Sequence, residues 1–557
     1  MRKLLTFVTG SLITGSLLAG GLVTNTNQSA SWVRLPARNA SVGIDAVYYN
    51  PAGLMKLENG LHFSVSNQTI FQTKEVENFY SGPGGAFGLN ESLYTGKVKA
   101  PVFPSVYAAY KMDKLAFSFG FNPVGGGAGA LYEEGLPSFE MSVSDLVPAF
   151  VSMGATEYSL DAYLEGTSVF FGFQGGVSYK INDIFSVAAG LRYVTAKNTY
   201  LGHLQDVQLN IGGNWVAVPT FLNGIITNLT GIIGIPNSLA GAIAGGFGGA
   251  TLADLVSAGF MTAGEKAGIE AGLEYIGLPP AAIPAMDLNT ISGTVTTATP
   301  TLQATRATAA ATSTLVSDQS ADVSQTGSGI TPFFSVNISP SDNLNIGIKY
   351  EMATKLELKN KTAIGKDLLI GFTAEGVPIK MFPDGALTRN DMPALLAVGI
   401  DFKPVSDLKI SLGSNYYFDK AADYGHKLDQ DQNSSTPSTF VPNSDIIDQN
   451  GFSIQGGLEY NLSDNFLVSG GYVFANKGVN SLYQSDLTYG LSGHTVGAGG
   501  AFSISDNFQI NFGASYTNYI KDEQTINHVV ALGVVIPALE TYNKKSLVFG
   551  VGIDLSF

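Results

Sequence analysis

A strict two-residue alternation runs to the last residue of this chain. Leu547, Phe549, Val551, Ile553, Leu555 and Phe557 are apolar, and Val548, Gly550, Gly552, Asp554 and Ser556 lie between them. Phe508, Ile510, Phe512, Ala514 and Tyr516 alternate in the same way with Gln509, Asn511, Gly513, Ser515 and Thr517. Successive side chains of a strand point to opposite faces, so each run reads as a strand with one apolar face. A soluble sandwich would cover that face with a second sheet. Here the large aromatics lie on one face and glycine and small polar groups on the other, an arrangement that suits lipid outside and a lumen inside.

The pattern recurs as hairpins. "AYKMDKLAFSFGF" (109–121), "SYKINDIFSVAAGLRY" (178–193), "VNISPSDNLNIGIKY" (336–350), "DFKPVSDLKISLGSNYYF" (401–418), "EYNLSDNFLVSGGYVF" (459–474) and "AFSISDNFQINFGASY" (501–516) each set a tiny Asp-bearing turn between two strand-like runs. Seven longer polar or Gly-rich stretches separate them, near residues 73–100, 123–165, 199–325, 358–389, 420–449, 478–491 and 520–543. Six turns and seven loops make thirteen connections, which predicts an all-β, 14-stranded antiparallel transmembrane β-barrel with short turns at one end and long loops at the other. Closure leaves no unpaired edge in hydrocarbon, where each unmet backbone group costs several kcal/mol.

Composition agrees. The 557 residues include 66 Gly and 33 Phe but only 13% charged residues, and the formal net charge is -15. An acidic balance with no basic run argues against a nucleic-acid partner. Met1-Arg2-Lys3, the apolar run Leu4 to Leu18 and the small residues Ala19-Gly20-Gly21 form a signal-peptide pattern rather than an anchor helix. No Cys follows this leader, so neither lipoprotein anchoring nor disulfides are expected. The domain plan is a leader over residues 1–20, an N-terminal segment over 21–58 and a barrel over 59–557, with 199–325 a long extracellular loop.

Three segments break the strand pattern. In "GIDAVYYNPAGLMKLENG" (43–60), Pro51 lacks a donor and Gly53 permits a turn, so no ladder forms there. At "FSFGFNPVGGGAG" (117–129), alternation through Phe117, Phe119 and Phe121 stops at Asn122 and Pro123, and Gly125, Gly126 and Gly127 follow. Pairing should fail at that point. In the loop, residues 216–236 carry no charge and 237–278 have helix-like Ala, Leu, Glu and Lys content, whereas 293–325 read as flexible or extended surface. Pro219, Asn223, Asn228 and several Gly argue against a membrane-crossing helix there. Phe221, Leu222, Ile225, Ile226 and Leu229 are candidates for an apolar capture groove. Inward parity places Arg192 and Lys349 in the lumen, as partners for a substrate carboxylate or as members of an ion pair.

Four stretches, "TNTNQSASWVRLPARNASVGIDAVYYNPAGL" (24–54), "FNPVGGG" (121–127), "MPALLAVGIDF" (392–402) and "LSGHTVGAGGAFSISDNFQINFGASY" (491–516), carry a family resemblance. The chain resembles the FadL/TodX-type outer-membrane transporters of long-chain fatty acids and other hydrophobic compounds, in their Bacteroidetes-type form. The terminal Phe557 also resembles the sorting signal of outer-membrane barrels. The resemblance implies that Asn50, Pro51, Ala52 and Gly53 belong to a small hatch that plugs the barrel. It further implies that the third strand bends inward near Asn122 and Pro123, opening the wall for sideways exit.

Catalysis has little support. His62, His203, His426, His494 and His528 show no metal-protease spacing, and neither a nucleophile elbow nor a P-loop occurs. Asp429, Asp431 and Asn433 begin like a calcium loop but lack its Gly and its final Glu. No enzyme, metal or cofactor is expected. The expected function is passive uptake of hydrophobic molecules, foremost long-chain fatty acids, by a monomeric barrel in the outer membrane of a Gram-negative bacterium. The alternatives are a structural or adhesive surface barrel and, more remotely, an outer-membrane lipase.

Overall fold

In the computed structural model, residues 24–82, 85, 87–126, 129–372, 376–425, 443–530 and 534–557 are described. The leader (1–20), Gly127, His426 and the Asp429–Asn433 stretch lie outside the described residues.

Fourteen antiparallel strands close a ring. They are β1 (Gly60–Tyr80), β2 (Ser92–Met112), β3 (Leu115–Gly125), β4 (Ala155–Lys180), β5 (Phe185–Ile211), β6 (Gln319–Ser341), β7 (Leu344–Glu351), β8 (Leu395–Val405), β9 (Leu408–Tyr417), β10 (Phe452–Ser463), β11 (Phe466–Asn476), β12 (Gly493–Ser505), β13 (Phe508–Tyr519) and β14 (Val534–Ser556). Each pairs with its chain neighbour, and β14 returns to β1, from His62↔Ser556 to Tyr80↔Ala538. Phe557 accepts from the Leu61 N–H at 3.0 Å, so the carboxy terminus lies beside the start of β1, at the end of the tight turns. All six predicted turns occur. The outward face carries Phe117, Phe119, Val177, Tyr179, Leu412, Leu458, Phe512 and Val551 exposed, a continuous apolar belt that only a lipid bilayer would cover.

The wall is not of even height. β1, β2, β4, β5, β6 and β14 have 21 to 27 residues, whereas β7 to β13 have 8 to 13. A tilted strand of about ten residues crosses the hydrocarbon core, so the first group continues well beyond it. This corrects the loop boundaries given as 73–100, 199–325 and 520–543: residues 73–80, 92–100, 199–211, 319–325, 522–530 and 534–543 within them are strand. Above the bilayer the outward face meets water and turns polar, as at Glu77, Lys97 and Lys99, so the apolar alternation ends while the hydrogen-bond ladder continues.

Between β5 and β6 stands a helical cap: α5 (Val218–Ala242), α6 (Leu252–Ser257), α7 (Ala263–Tyr275) and α8 (Leu288–Leu315). On α5, Leu222, Ile225, Leu229, Ile232, Ile235 and Leu239 form one buried stripe at three- and four-residue spacing, packed along α8. The segment Val218–Phe247 is long and apolar enough to cross a membrane, yet it belongs to the connection between β5 and β6 at the end away from the tight turns. The extended surface expected over 293–325 is corrected: α8 occupies most of it. Its Thr side chains suit a helix poorly on their own. Here they donate back to the preceding turn, as Thr294 does to the Thr290 carbonyl at 2.8 Å, while Leu288, Ile291, Val295 and Leu302 are buried.

Candidate functional site

Residues 24–57 fill the lower lumen. After an extended start come α1 (Ala30–Arg34), capped by Ser29, then α2 (Ala46–Tyr49) and a 3-10 turn at Pro51–Lys56. Nearly every residue from Gln28 to Met55 is buried. Asn50 is tied to the wall twice: its amide donates to Asn337 at 2.7 Å, and it accepts from Ser335 at 3.0 Å. The carbonyls of Pro51 and Ala52 accept from Ser178 and Ser186 at 2.7 and 2.8 Å. Gly53 has no room for a side chain, since a Cβ would lie 2.5 Å from the Ser41 carbonyl. The wall is correspondingly bare where the plug presses on it. A Cβ on Gly497 would lie 2.4 Å from the Val33 carbonyl, and one on Gly399 2.5 Å from the Ala40 nitrogen.

Two basic residues hold this plug from the lumen side. Arg192 grips Glu351 with both guanidinium nitrogens at 2.8 Å, and Lys349 reaches the same carboxylate at 2.7 Å and the Tyr48 carbonyl at 2.6 Å. The Tyr48 ring lies 5.0 Å from the Arg192 guanidinium carbon and 4.3 Å from the Lys349 ammonium. Of the two roles open to Arg192 and Lys349, the structure realises the ion pair: Glu351 already supplies the carboxylate. Phe221, Leu222, Ile225, Ile226 and Leu229 likewise do not line an open groove. Leu222, Ile225 and Leu229 are buried in the seam of the helical cap, Phe221 packs edge-on to Phe150 at 4.9 Å, and Ile226 is half-buried.

The wall itself is interrupted at β3. β2 and β3 pair from Met112↔Leu115 only as far as Val106↔Phe121. β3 then departs from β2 and follows β4 alone, with an irregularity between Pro123 and Gly125. β2 next finds a partner on that side at Gly96 and Lys97, opposite Tyr132 and Leu131. Among the described residues, positions 98–105 of β2 therefore have no ladder on that edge, and Pro101 and Pro104, which lack a donor, fall within them. The departing end of β3 turns onto the plug. Asn122 donates to the Gln28 amide oxygen at 2.7 Å, and Gln28 donates to the Pro123 carbonyl at 2.8 Å. Gly125 bridges Thr24, and the Gly126 carbonyl accepts from Asn25 at 3.2 Å.

A cavity of about 610 Å³ lies between plug and rim. Its floor includes Trp32 and Val548, and Tyr489 and Leu491 of the 485–491 loop stand above it. It runs on to Val102, Pro104 and Phe121 at the interruption, and Val102, 68% exposed, is already on the outer surface. Three lysines also line it: Lys74, Lys477 and Lys544. At the rim, α3 (Pro137–Ser144) and α4 (Leu146–Phe150) pack against β4. Tyr80 donates to Asp145 at 2.9 Å, and His528 meets the other oxygen of that carboxylate at 2.5 Å. Asp486 in the 485–491 loop accepts from the Ser138 N–H at 2.9 Å, and burial raises its carboxyl above the usual range.

The sequence reading missed these three lysines and the two prolines of β2. The signal was present. Lys74 and Lys544 have inward parity on β1 and β14, but both fall in or beside stretches read as loop.

Fold and site together define a membrane-spanning β-barrel with an internal plug, a lumenal cavity and an interrupted wall. Among solved structures, the chain is similar to that of a Pseudomonas aeruginosa FadL homologue, with TM-score 0.55 and 13% identity over 96% of this chain and 100% of that one. It is also similar to the Pseudomonas putida toluene transporter TodX (TM-score 0.47, 11% identity, 92% and 94% covered). A third likeness is to the Ralstonia pickettii toluene transporter TbuX (TM-score 0.45, 14% identity, 94% and 98% covered). At such identity the first of these establishes the fold. No family model and no curated protein matches the sequence.

Proposed function

We propose that this barrel is a passive uptake channel in the outer membrane of a Gram-negative bacterium. Hydrophobic molecules with a long acyl chain pass into the cavity above the plug and leave sideways between β2 and β4. One observation carries the reading: a single cavity is lined both by lumenal residues such as Lys544 and Val548 and by Val102, Pro104 and Phe121 at the interrupted wall. Burial of each CH₂ is worth about 0.8 kcal/mol, so retention of a long chain needs no specific chemistry, and release into lipid costs little because that environment is equally apolar. The plug below bars the straight route to the periplasm, which leaves the side as the way out. The FadL-like fold agrees with this use.

The test straightens β3. Replacing Pro123 with Val and Gly125, Gly126 and Gly127 with Thr restores a donor and adds β-prone side chains. Uptake of a long-chain fatty acid should fall by about tenfold or more as the ladder closes, while heat-modifiable mobility on gels still reports a folded barrel. Uptake at the unaltered rate by a folded variant would refute the lateral route. Mass spectrometry of gently extracted protein separates this reading from an adhesive barrel, since only a channel should carry bound lipid in its cavity.

A further inference from the structure

We infer that the cavity is built for an amphiphile whose head group carries two negative charges, a phosphate monoester or a dicarboxylate, on a single apolar chain. This rests on the reading of the cavity as the substrate's station and adds to it the chemistry of the head.

The cavity's charged lining is one-sided. Lys74, Lys477 and Lys544 contribute to it, and among the described residues no Asp or Glu does. Lys74 and Lys544 are directly opposed across β1 and β14, so their side chains share one face and stand side by side. Like charges in that relation destabilise a sheet unless an anion joins them. Lys477 enters from the end of β11. Among the described residues, the Lys74 and Lys477 ammonium groups make no ion pair or hydrogen bond, and Lys544 donates once, to the Tyr489 carbonyl at 2.9 Å, with its ammonium 4.6 Å from the centre of that ring. Asp419, beside Lys477 in a small adjoining cavity, is already engaged by the Tyr424 hydroxyl at 2.6 Å and the Gly451 N–H at 2.9 Å.

The contrast with Arg192 and Lys349 is instructive. There one carboxylate answers two cations within the protein, whereas here three cations surround free volume. All three are half-buried, and like charges gathered around one cavity repel one another unless an anion joins them. A single carboxylate brings one negative charge and two acceptor oxygens to three lysines. A phosphate monoester carries about −1.5 to −2 charges at neutral pH and three strong acceptor oxygens, enough to engage all three. Thr488, Thr517 and Ser546 line the same cavity and add hydroxyl donors. The apolar lining for the chain lies toward the wall interruption, at Ala100, Val102, Phe121, Val169 and Phe171. An amphiphile held by its head at the lysines would thus present its tail to the gap.

Trp32 lines the cavity and the chain has only one other tryptophan, so full-length Trp215→Phe protein in amphipol reports cavity occupancy by its fluorescence. Hexadecyl phosphate, palmitate and hexadecanol share one chain length and differ in head charge. Hexadecyl phosphate should bind about tenfold or more tightly than palmitate, and palmitate more tightly than hexadecanol. A long-chain alkyl dicarboxylate run alongside shows which dianion fits better. Lys74→Met and Lys544→Met should each cost about tenfold in hexadecyl phosphate affinity and leave hexadecanol unchanged, while Lys74→Arg keeps the preference. Heat-modifiable mobility confirms that each variant is folded. Palmitate or hexadecanol binding as tightly as both dianions would overturn the head-group inference and leave the channel standing. Failure of every probe to reach Trp32 would overturn both.

Discussion

At the scale of single residues, glycine does two separate jobs in this wall. Gly470 stands where a Cβ would meet nothing closer than 3.4 Å, whereas a Cβ on Gly497 would strike the Val33 carbonyl at 2.4 Å. One is tolerant strand, and the other is the seat of the plug. Gly497→Val should therefore assemble a heat-modifiable barrel with a displaced plug, seen as raised entry of small polar antibiotics, while Gly470→Val should leave entry unchanged. Equal permeability in the two variants would show that wall glycines do not seat the plug. The same scale explains Arg192 and Lys349. Parity places a cation in the lumen, but whether it meets substrate or protein depends on what stands opposite, and here that is Glu351 under Tyr48.

Among the elements, the strands and the helical cap are separable. β5 and β6 pair down to the tight-turn end without help from the cap, from Leu204↔Gln319 to Phe185↔Ile338. The buried stripes of α5 and α8 mainly face each other. Removing residues 206–317 and joining Gln205 to Asp318 through an Asn-Gly turn should thus leave a closed barrel, because that turn matches the strand twist. Circular dichroism should lose helical signal, and heat-modifiable mobility should persist. A product that no longer folds would mean the cap takes part in closing the barrel. β3 is the opposite case. Its departure from β2 is built into both partners, by Pro123 and the glycines on one strand and by Pro101 and Pro104 on the other, so the interruption belongs to the pair.

For the whole molecule, the decisive relation is between the ring and what it contains. A fourteen-strand ring encloses more space than its own side chains fill. The 24–57 segment occupies the lower part, and the cavity takes the rest. Deleting residues 22–53 should leave an assembled barrel, since every strand-to-strand ladder lies outside that segment. Entry of small polar solutes should then rise by about an order of magnitude or more, as in open water-filled barrels. Unchanged antibiotic sensitivity at normal surface levels would show that the segment does not seal the lumen.

Strand number, the six tight turns, the outward belt and the break in strand pattern at Asn50-Pro51 were legible in the sequence, because each depends on local periodicity or on a residue's own dihedral limits, whereas the place of that break in a plug came from the family resemblance alone. The height of the wall was not, since alternation reports the solvent on the outer face, and above the bilayer that solvent is water on a strand that continues. α8 was hidden by its threonines, whose helix is held by packing against α5 rather than by their own propensity. The lysine cluster was hidden for a different reason. Lys74, Lys477 and Lys544 are far apart in the chain, and only the closing register of β1 on β14, with the end of β11 beside it, gathers their charges around one cavity. Periodicity is a property of neighbours along the chain, and a site is a property of neighbours in space.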